Sequence, residues 1–437
     1  MKATSRALDH LLCAVGDPVA DLDGIGPDHP EFARAQTIRA AAHVLAKSPD
    51  ALPALVKVLN AGAGPAASPR TRAHLAAAQA WVDGDPALAA ERYAAILESW
   101  PRDLLALRLV QSCNFFLGRH ERVCAVFERT MPAWTKQDPG YPSLLAMASF
   151  AYAESGDGAR AEALGREALA RDAFCPMGVH AVAHAIAESG RAQGGAQWMR
   201  DQRTQWHTDS RMCTHNAWHL AMFDVDAGNV GSALGILDEW LLPASDDSPI
   251  EASDATGLLW RLAEEGVPDG GRWRRLSDAF ERTLTPGFWS FVDLHAAVAH
   301  FAAGEQARLM RLIDALGRCA ERDDFAGLRA RTVTLPGLHA LFTGGRPSLA
   351  DAGGSRIQLE LFERFRRGSA HVDREGDGPD HRAVRHGGTA VSEAQLLLPA
   401  AARQEKPDAG PARSGEIRGL RVDRAAQAAQ RSGRIGG

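Results

Sequence analysis

At 437 residues, with 45% hydrophobic and 24% charged side chains, the chain can bury a sizeable core and has an ordinary soluble composition. A formal net charge of -5 gives no basic footprint for nucleic acid, and no stretch reaches the roughly 18–20 apolar residues of a membrane span. The six cysteines, at 13, 113, 124, 175, 213 and 319, include no Cys-x-x-Cys pair; this points to reduced thiols in a cytosolic protein and excludes zinc-finger and redox motifs.

The apolar run Leu11 to Val15 is too short for a signal peptide. Residues 1–67 form an N-terminal helical segment, with helices expected at Asp9 to Val15, Glu31 to Ala46 and Ala51 to Leu59 between Gly/Pro/Asp punctuation. From Ser68 a period emerges. Gly84, Gly118, Gly156, Gly190 and Gly228 each end an apolar helical segment and precede another, at separations of 34, 38, 34 and 38 residues. A helix-turn-helix unit of 34 residues is the tetratricopeptide period, and separations of 38 fit four-residue insertions. Small residues follow at fixed offsets: Ala89, Ala161 and Ala233 each stand five residues after their glycine, where the second helix packs on the first. Beyond Trp240 the pattern is less regular, with helices expected near Ala252 to Glu265, Trp273 to Thr283, Phe288 to Ala303 and Gln306 to Ala320. The predicted fold is all-α: an α-solenoid of tetratricopeptide-like hairpins over residues 68–343, each burying its apolar face on its neighbours. After Phe365 there is no aromatic residue, and arginines accompany a single lysine, Lys406. Residues 366–437 read as a disordered Arg/Gly/Ala-rich tail, too poor in apolar area to offset the entropy of ordering.

Two histidine pairs stand out: His180-Ala-Val-Ala-His184, and His215-Asn-Ala-Trp-His219 two residues after Cys213. The i,i+4 spacing puts the partners of each pair one turn apart on one side of a helix. Val179, Val182, Ala183 and Ile186 form the apolar stripe of the first helix, and the histidines lie on its flank. If first helices stack side by side, the four imidazoles converge on the concave surface. Three readings stay open. In the first, the histidines hydrogen-bond between helices and fix the register with Asn216 and Trp218. In the second, they line a groove for a ligand or peptide. In the third, they hold a divalent metal such as zinc, with Glu188 or His295 as an extra ligand. Residue 181 is alanine, so the glutamate base of a His-Glu-x-x-His protease is missing. Asp293 suits an N-cap better than a ligand position.

The order and spacing of several segments resemble the tetratricopeptide repeat protein 38 family. They include Gly16-Asp-Pro18, Arg72-Ala-His74, Trp100-Pro-Arg-Asp, Phe115-Phe-Leu-Gly118 and Pro139-Gly-Tyr141. The two histidine motifs and Phe291-Val-Asp-Leu-His295 carry the likeness further, over about residues 16–318, and Gly353-Gly-Ser355 marks a residual C-terminal motif in 344–365. The resemblance implies an array of degenerate repeats and brings no catalytic activity with it. The chain has Gln36 and Gln111 where the family usually has histidine, and Asn114 and Ala187 where it has an acidic residue. The family's final helices give way to the tail.

The function expected from these features is a cytoplasmic interaction scaffold binding a protein or peptide partner in its concave groove, around His180, His184, His215, Asn216, His219 and His295. It requires no cofactor, no membrane and no nucleic acid on the folded body. The alternative is a metal-dependent, hydrolase-like enzyme using His180, His184, His215 and His219 as ligands.

Overall fold

The glycine period becomes a repeated way of stopping a helix. In the computed structural model of the protein, Gly84, at φ +80°, follows the helix Pro69–Val82, and the next amide, Asp85 N–H, donates to Ala80 O at 2.9 Å. This is the paired closure of a helix C-terminus whose left-handed residue has no Cβ to clash. The same reach back recurs after Gly118, Gly156, Gly190 and Gly228, where Asn229 N–H donates to Asp224 O at 2.7 Å. It also recurs at Gly266 and Gly304, each 38 residues further on, which the irregular pattern beyond Trp240 had hidden.

The structure describes residues 2–343 apart from 66, 173–174 and 207–211, all within a unit spanning Met1–Ala402. The motif expected at 344–365 and the tail 366–437 lie outside the described residues. Among the described residues the fold is all-helical, without strands, and none of the helices is long and apolar enough to cross a membrane.

Seven glycine-punctuated hairpins account for residues 69–320 of the described chain. Their first helices are Pro69–Val82, Leu104–Leu117, Tyr141–Glu154, Pro176–Glu188, Cys213–Asp226, Pro249–Glu264 and Ser290–Ala302. From Leu104–Leu117 onward each first helix touches the next. The second helices, such as Pro86–Ser99, Gly158–Arg171 and Gln306–Ala320, pack on the first. Ser68, Asp85, Asp103 and Asp157 cap the starts of four of these helices by accepting a backbone N–H from the first turn. N-terminal to the hairpins lie Ala3–Cys13, Phe32–Leu45 and Leu52–Ala61; the first starts six residues earlier than its apolar run suggested.

The two helices of a hairpin bury themselves differently. In Tyr141–Glu154 every residue from Leu144 to Glu154 is buried, and in Pro176–Glu188 every residue from Pro176 to Ile186. Second helices such as Gly158–Arg171 bury a narrow stripe, Ala161, Gly165 and Ala168. The first helices Tyr141–Glu154 and Pro176–Glu188 are therefore elements of an inner layer, and most polar side chains on them are buried. Far along the chain, Phe288 and Trp289 return to this layer: Phe116 lies 5.7 Å from Phe288 and 5.3 Å from Trp289, ring centre to ring centre.

Candidate metal centre

Close packing fixes the helix that carries His180 and His184. Gly165, on the preceding helix, faces Val182 and Ser149; a Cβ there would stand 2.5 Å from Val182 Cγ2 and 2.7 Å from Ser149 Oγ. On the other side, a Cβ at Gly195 would meet Ile186 and Phe223 at 3.0 Å. These glycines let the helix axes approach more closely than any side chain would permit. Pro176 at the first helical turn, where its missing N–H costs nothing, sets the start of the helix.

Held this way, the two histidine pairs meet. His180 Nε2 lies 2.9 Å from His184 Nε2 and 3.2 Å from His215 Nε2, and one ring nitrogen from each of His180, His184, His215 and His219 falls within 4.8 Å of the others. His180, His184 and His219 are 5%, 2% and 2% exposed, while the His215 side chain keeps 22% of its surface. Phe150 stacks on His180 with ring centres 5.1 Å apart, and Trp218 stacks on His215 at 5.3 Å. Two carboxylates complete the group from neighbouring first helices. Glu154 Oε1 lies 2.6 Å from His184 Nδ1, and Asp254 Oδ2 lies 2.6 Å from His215 Nδ1. Asp254 hydrogen-bonds to the far nitrogen of His215, which fixes that ring's orientation and directs its Nε2 lone pair inward, while Glu154 lies at ion-pair distance from His184 Nδ1 without a hydrogen bond to it.

Electrostatics keep two of the four rings neutral. Burial, then the neighbouring imidazoles, push His180 and His219 well below the ordinary histidine range. Burial opposes charge on His215 as well, but the Asp254 carboxylate outweighs it and raises that ring. The neutral rings leave a polar deficit: His219 Nε2 is buried without a hydrogen-bond partner among the described residues. An orphaned buried nitrogen is costly unless something accepts its lone pair or proton. A metal ion does. Zinc held by four imidazoles at about 2.0–2.1 Å places its ligand nitrogens about 3.3 Å from one another, near the 2.9 and 3.2 Å that His180 Nε2 makes, with all four nitrogens inside 4.8 Å. The residues fit the group.

The structure brings together the four histidines but changes their setting. They are not the wall of an open groove: the flank of a first helix is covered by the first helices on either side of it. His295 is not among the side chains that meet at the centre. Its Nδ1 lies 2.8 Å from the Phe291 carbonyl oxygen one turn back, and burial pulls it down to about 4. Glu188 does not join the group either. Asn216 is fully buried and donates Nδ2–H to Pro176 O at 3.4 Å, tying the two histidine helices together. Asp293 is not an N-cap: it stands inside the helix Ser290–Ala302 and accepts the Gly287 N–H at 3.1 Å with both carboxylate oxygens. Cys213 is no activated thiol, since burial raises it. Gln111 donates Nε2–H to Met147 O at 2.7 Å, and Gln36 donates to Val58 O and Gly62 O at 3.1 Å, so both glutamines bridge helices.

Sequence reasoning missed Glu154 and Asp254. Glu154 is an acid at the end of an otherwise largely apolar first helix, a combination that calls for a buried partner; Asp254 stands among other polar residues and carries no such signal. None of the protein-family models compared with the chain matches it.

Proposed function

We propose that the protein binds a divalent transition-metal ion with the imidazoles of His180, His184, His215 and His219, and that this centre is the seat of its activity. The observation that carries this is the convergence of four ring nitrogens, two of them backed by the carboxylates of Glu154 and Asp254. Imidazole suits zinc, copper, iron and nickel, and hard cations such as magnesium prefer oxygen donors. Four neutral ligands leave the ion its full positive charge, which favours Lewis-acid chemistry such as hydrolysis, with the partly exposed His215 on the side where water has access. The reading is thus a metal-dependent enzyme of the hydrolase type.

A second reading, the interaction scaffold, draws on the hairpin array itself. Successive first helices in contact support, as a proposal, a solenoid of degenerate tetratricopeptide-like units, and such arrays bind peptides. It makes less use of the buried histidines, which a partner cannot reach without opening the inner layer.

The test is a titration of the metal-free full chain with Co2+ and Zn2+. One Co2+ per chain with visible bands of a nitrogen-ligated ion, displaced by Zn2+ and weakened at least tenfold by His219→Ala, is the expected result. A His219→Ala chain that binds as tightly as wild type would sink the proposal.

A further inference from the structure

The contact of Phe288 and Trp289 with the helix Leu104–Leu117 joins two parts of the chain that stand far apart in the order of hairpins. Both residues lie in the connection between the helices Arg272–Thr283 and Ser290–Ala302. Phe288 N–H turns back to Thr285 O at 3.3 Å, and Gly287, at φ +83°, donates its N–H to the Asp293 carboxylate. The two rings are thus carried on a short loop rather than on a helix. Phe116 meets both of them, and the Trp289 ring lies 6.2 Å from Phe115. Phe115 in turn lies 5.9 Å from Phe150, whose ring stacks on His180 at 5.1 Å and meets His184 edge-on at 4.9 Å. A continuous line of rings runs from the loop to the histidine centre.

The seam between loop and helix is imperfectly closed. Trp289 is 5% exposed, and its indole N–H is buried without an acceptor among the described residues. Parting the rings would give that N–H to water, so the closed form carries a cost that the open form does not. Phe115 and Phe288 are only partly buried, and a small cavity lined by Gln111, Phe115, Phe150 and Glu154 lies where Phe115 faces the wall of the centre. Apolar ring contacts hold no directional bond, and loosely packed segments of this kind open locally while the rest of the fold stays intact. His180 and His184, at the end of the line, are 5% and 2% exposed, so a solute that meets them must first move side chains aside. We propose that Phe115, Phe116, Phe288 and Trp289 form a latch whose transient opening frees Phe150 and admits water and small solutes to His180 and His184. The latch stands on ring geometry; that it serves metal uptake and substrate access rests on the metal-dependent reading above.

The experiment treats the full-length, metal-free protein with diethyl pyrocarbonate, which acylates imidazoles that solvent reaches, and follows each histidine peptide by mass spectrometry. His29, exposed in the folded chain, is the internal reference. Phe288→Ala deletes one ring of the latch, and Phe288→Leu keeps apolar bulk while losing the ring. Phe301→Ala is the control: it removes a partly buried ring from the pair Phe301–Phe342, outside the latch. Acylation of His180 and His184 is expected to rise about tenfold in Phe288→Ala and about threefold in Phe288→Leu, with His29 unchanged and Phe301→Ala close to wild type. Circular dichroism checks helicity, and Phe288→Leu decides the matter if Phe288→Ala does not fold. Wild-type acylation in the folded Phe288 variants, or the same rise in Phe301→Ala, would overturn the latch. Co2+ uptake and release, measured on the same proteins, should both quicken in the Phe288 variants with affinity little changed. Faster acylation with unchanged Co2+ rates would overturn the latch's role at the centre. Faster acylation in a chain that binds no Co2+ keeps the latch and removes the metal reading, and Co2+ binding with unchanged acylation does the reverse.

Discussion

The two helices of each hairpin meet the charge problem in opposite ways. On the second helices, arginines and carboxylates pair from hairpin to hairpin across the surface: Arg308 with Asp278 at 2.6 Å, Arg311 with Glu281 at 2.7 Å, Arg272 with Asp238 at 2.7 Å. Both partners of the Arg311 pair keep much of their surface in water, 59% and 41% of the side chains. On the first helices the polar groups around the histidines are buried, and they pair as imidazole with carboxylate or imidazole with imidazole. Water forgives an unmade contact on the outer layer and does not on the inner one. That difference marks where the structure has committed polar groups to a purpose, since an apolar side chain of similar size is the cheaper choice for an inner position.

The comparison breaks most readily at Glu154. Glu154→Ala removes the carboxylate 2.6 Å from His184 Nδ1, at a site where Glu154 is 6% exposed, and leaves that buried imidazole without its ion-pair partner. We expect a loss of about 3 kcal/mol in chemical denaturation and a drop of about 10–100-fold in metal affinity. Unchanged stability would mean that the inner pairing is decorative.

Asp293 sharpens the same contrast through pH. Burial raises it to about 8, against the stabilising Gly287 N–H. The folded chain then keeps a proton that the unfolded chain releases near pH 3.9, so this group's contribution to stability is full below that value and falls as pH rises through the window up to about 8. Asp293→Asn, which still accepts the Gly287 N–H, should gain on wild type across that window by up to about 1.4 kcal/mol per pH unit. Thermal midpoints of the two proteins between pH 5 and 8 give the slope directly, and parallel curves would refute the neutral form.

The smallest effect belongs to the outer layer. Arg311→Ala should shift stability by less than about 0.5 kcal/mol, and salt should erase the difference. A loss as large as that of Glu154→Ala would abolish the distinction between the layers.

How far the sequence could be read follows the same division. The hairpin stops were legible because a left-handed helix end is a local demand that glycine meets alone, and Gly84 through Gly228 announce it at a fixed period. The pairing of His180 with His184, and of His215 with His219, was legible because i,i+4 spacing is a property of one helix. The burial of those pairs was not, since it depends on the helices packed to either side, whose distance no spacing within one helix encodes. For the same reason Glu154 and Asp254 went unseen. His184 meets Glu154 across one hairpin and His215 meets Asp254 across 39 residues, and only the packing of successive first helices brings them within 2.6 Å. His295 illustrates the converse: its motif reads like the others, yet its ring nitrogen turns back to Phe291.

The most direct measurement is the metal content of the purified full-length chain, by elemental analysis, beside His184→Ala/His219→Ala, with circular dichroism confirming that both remain helical. Near one equivalent of a divalent transition metal in wild type, absent from the folded double variant, is the result this account predicts. Wild-type protein that holds no such metal even after reconstitution, with stability matching that of the double variant, would contradict it.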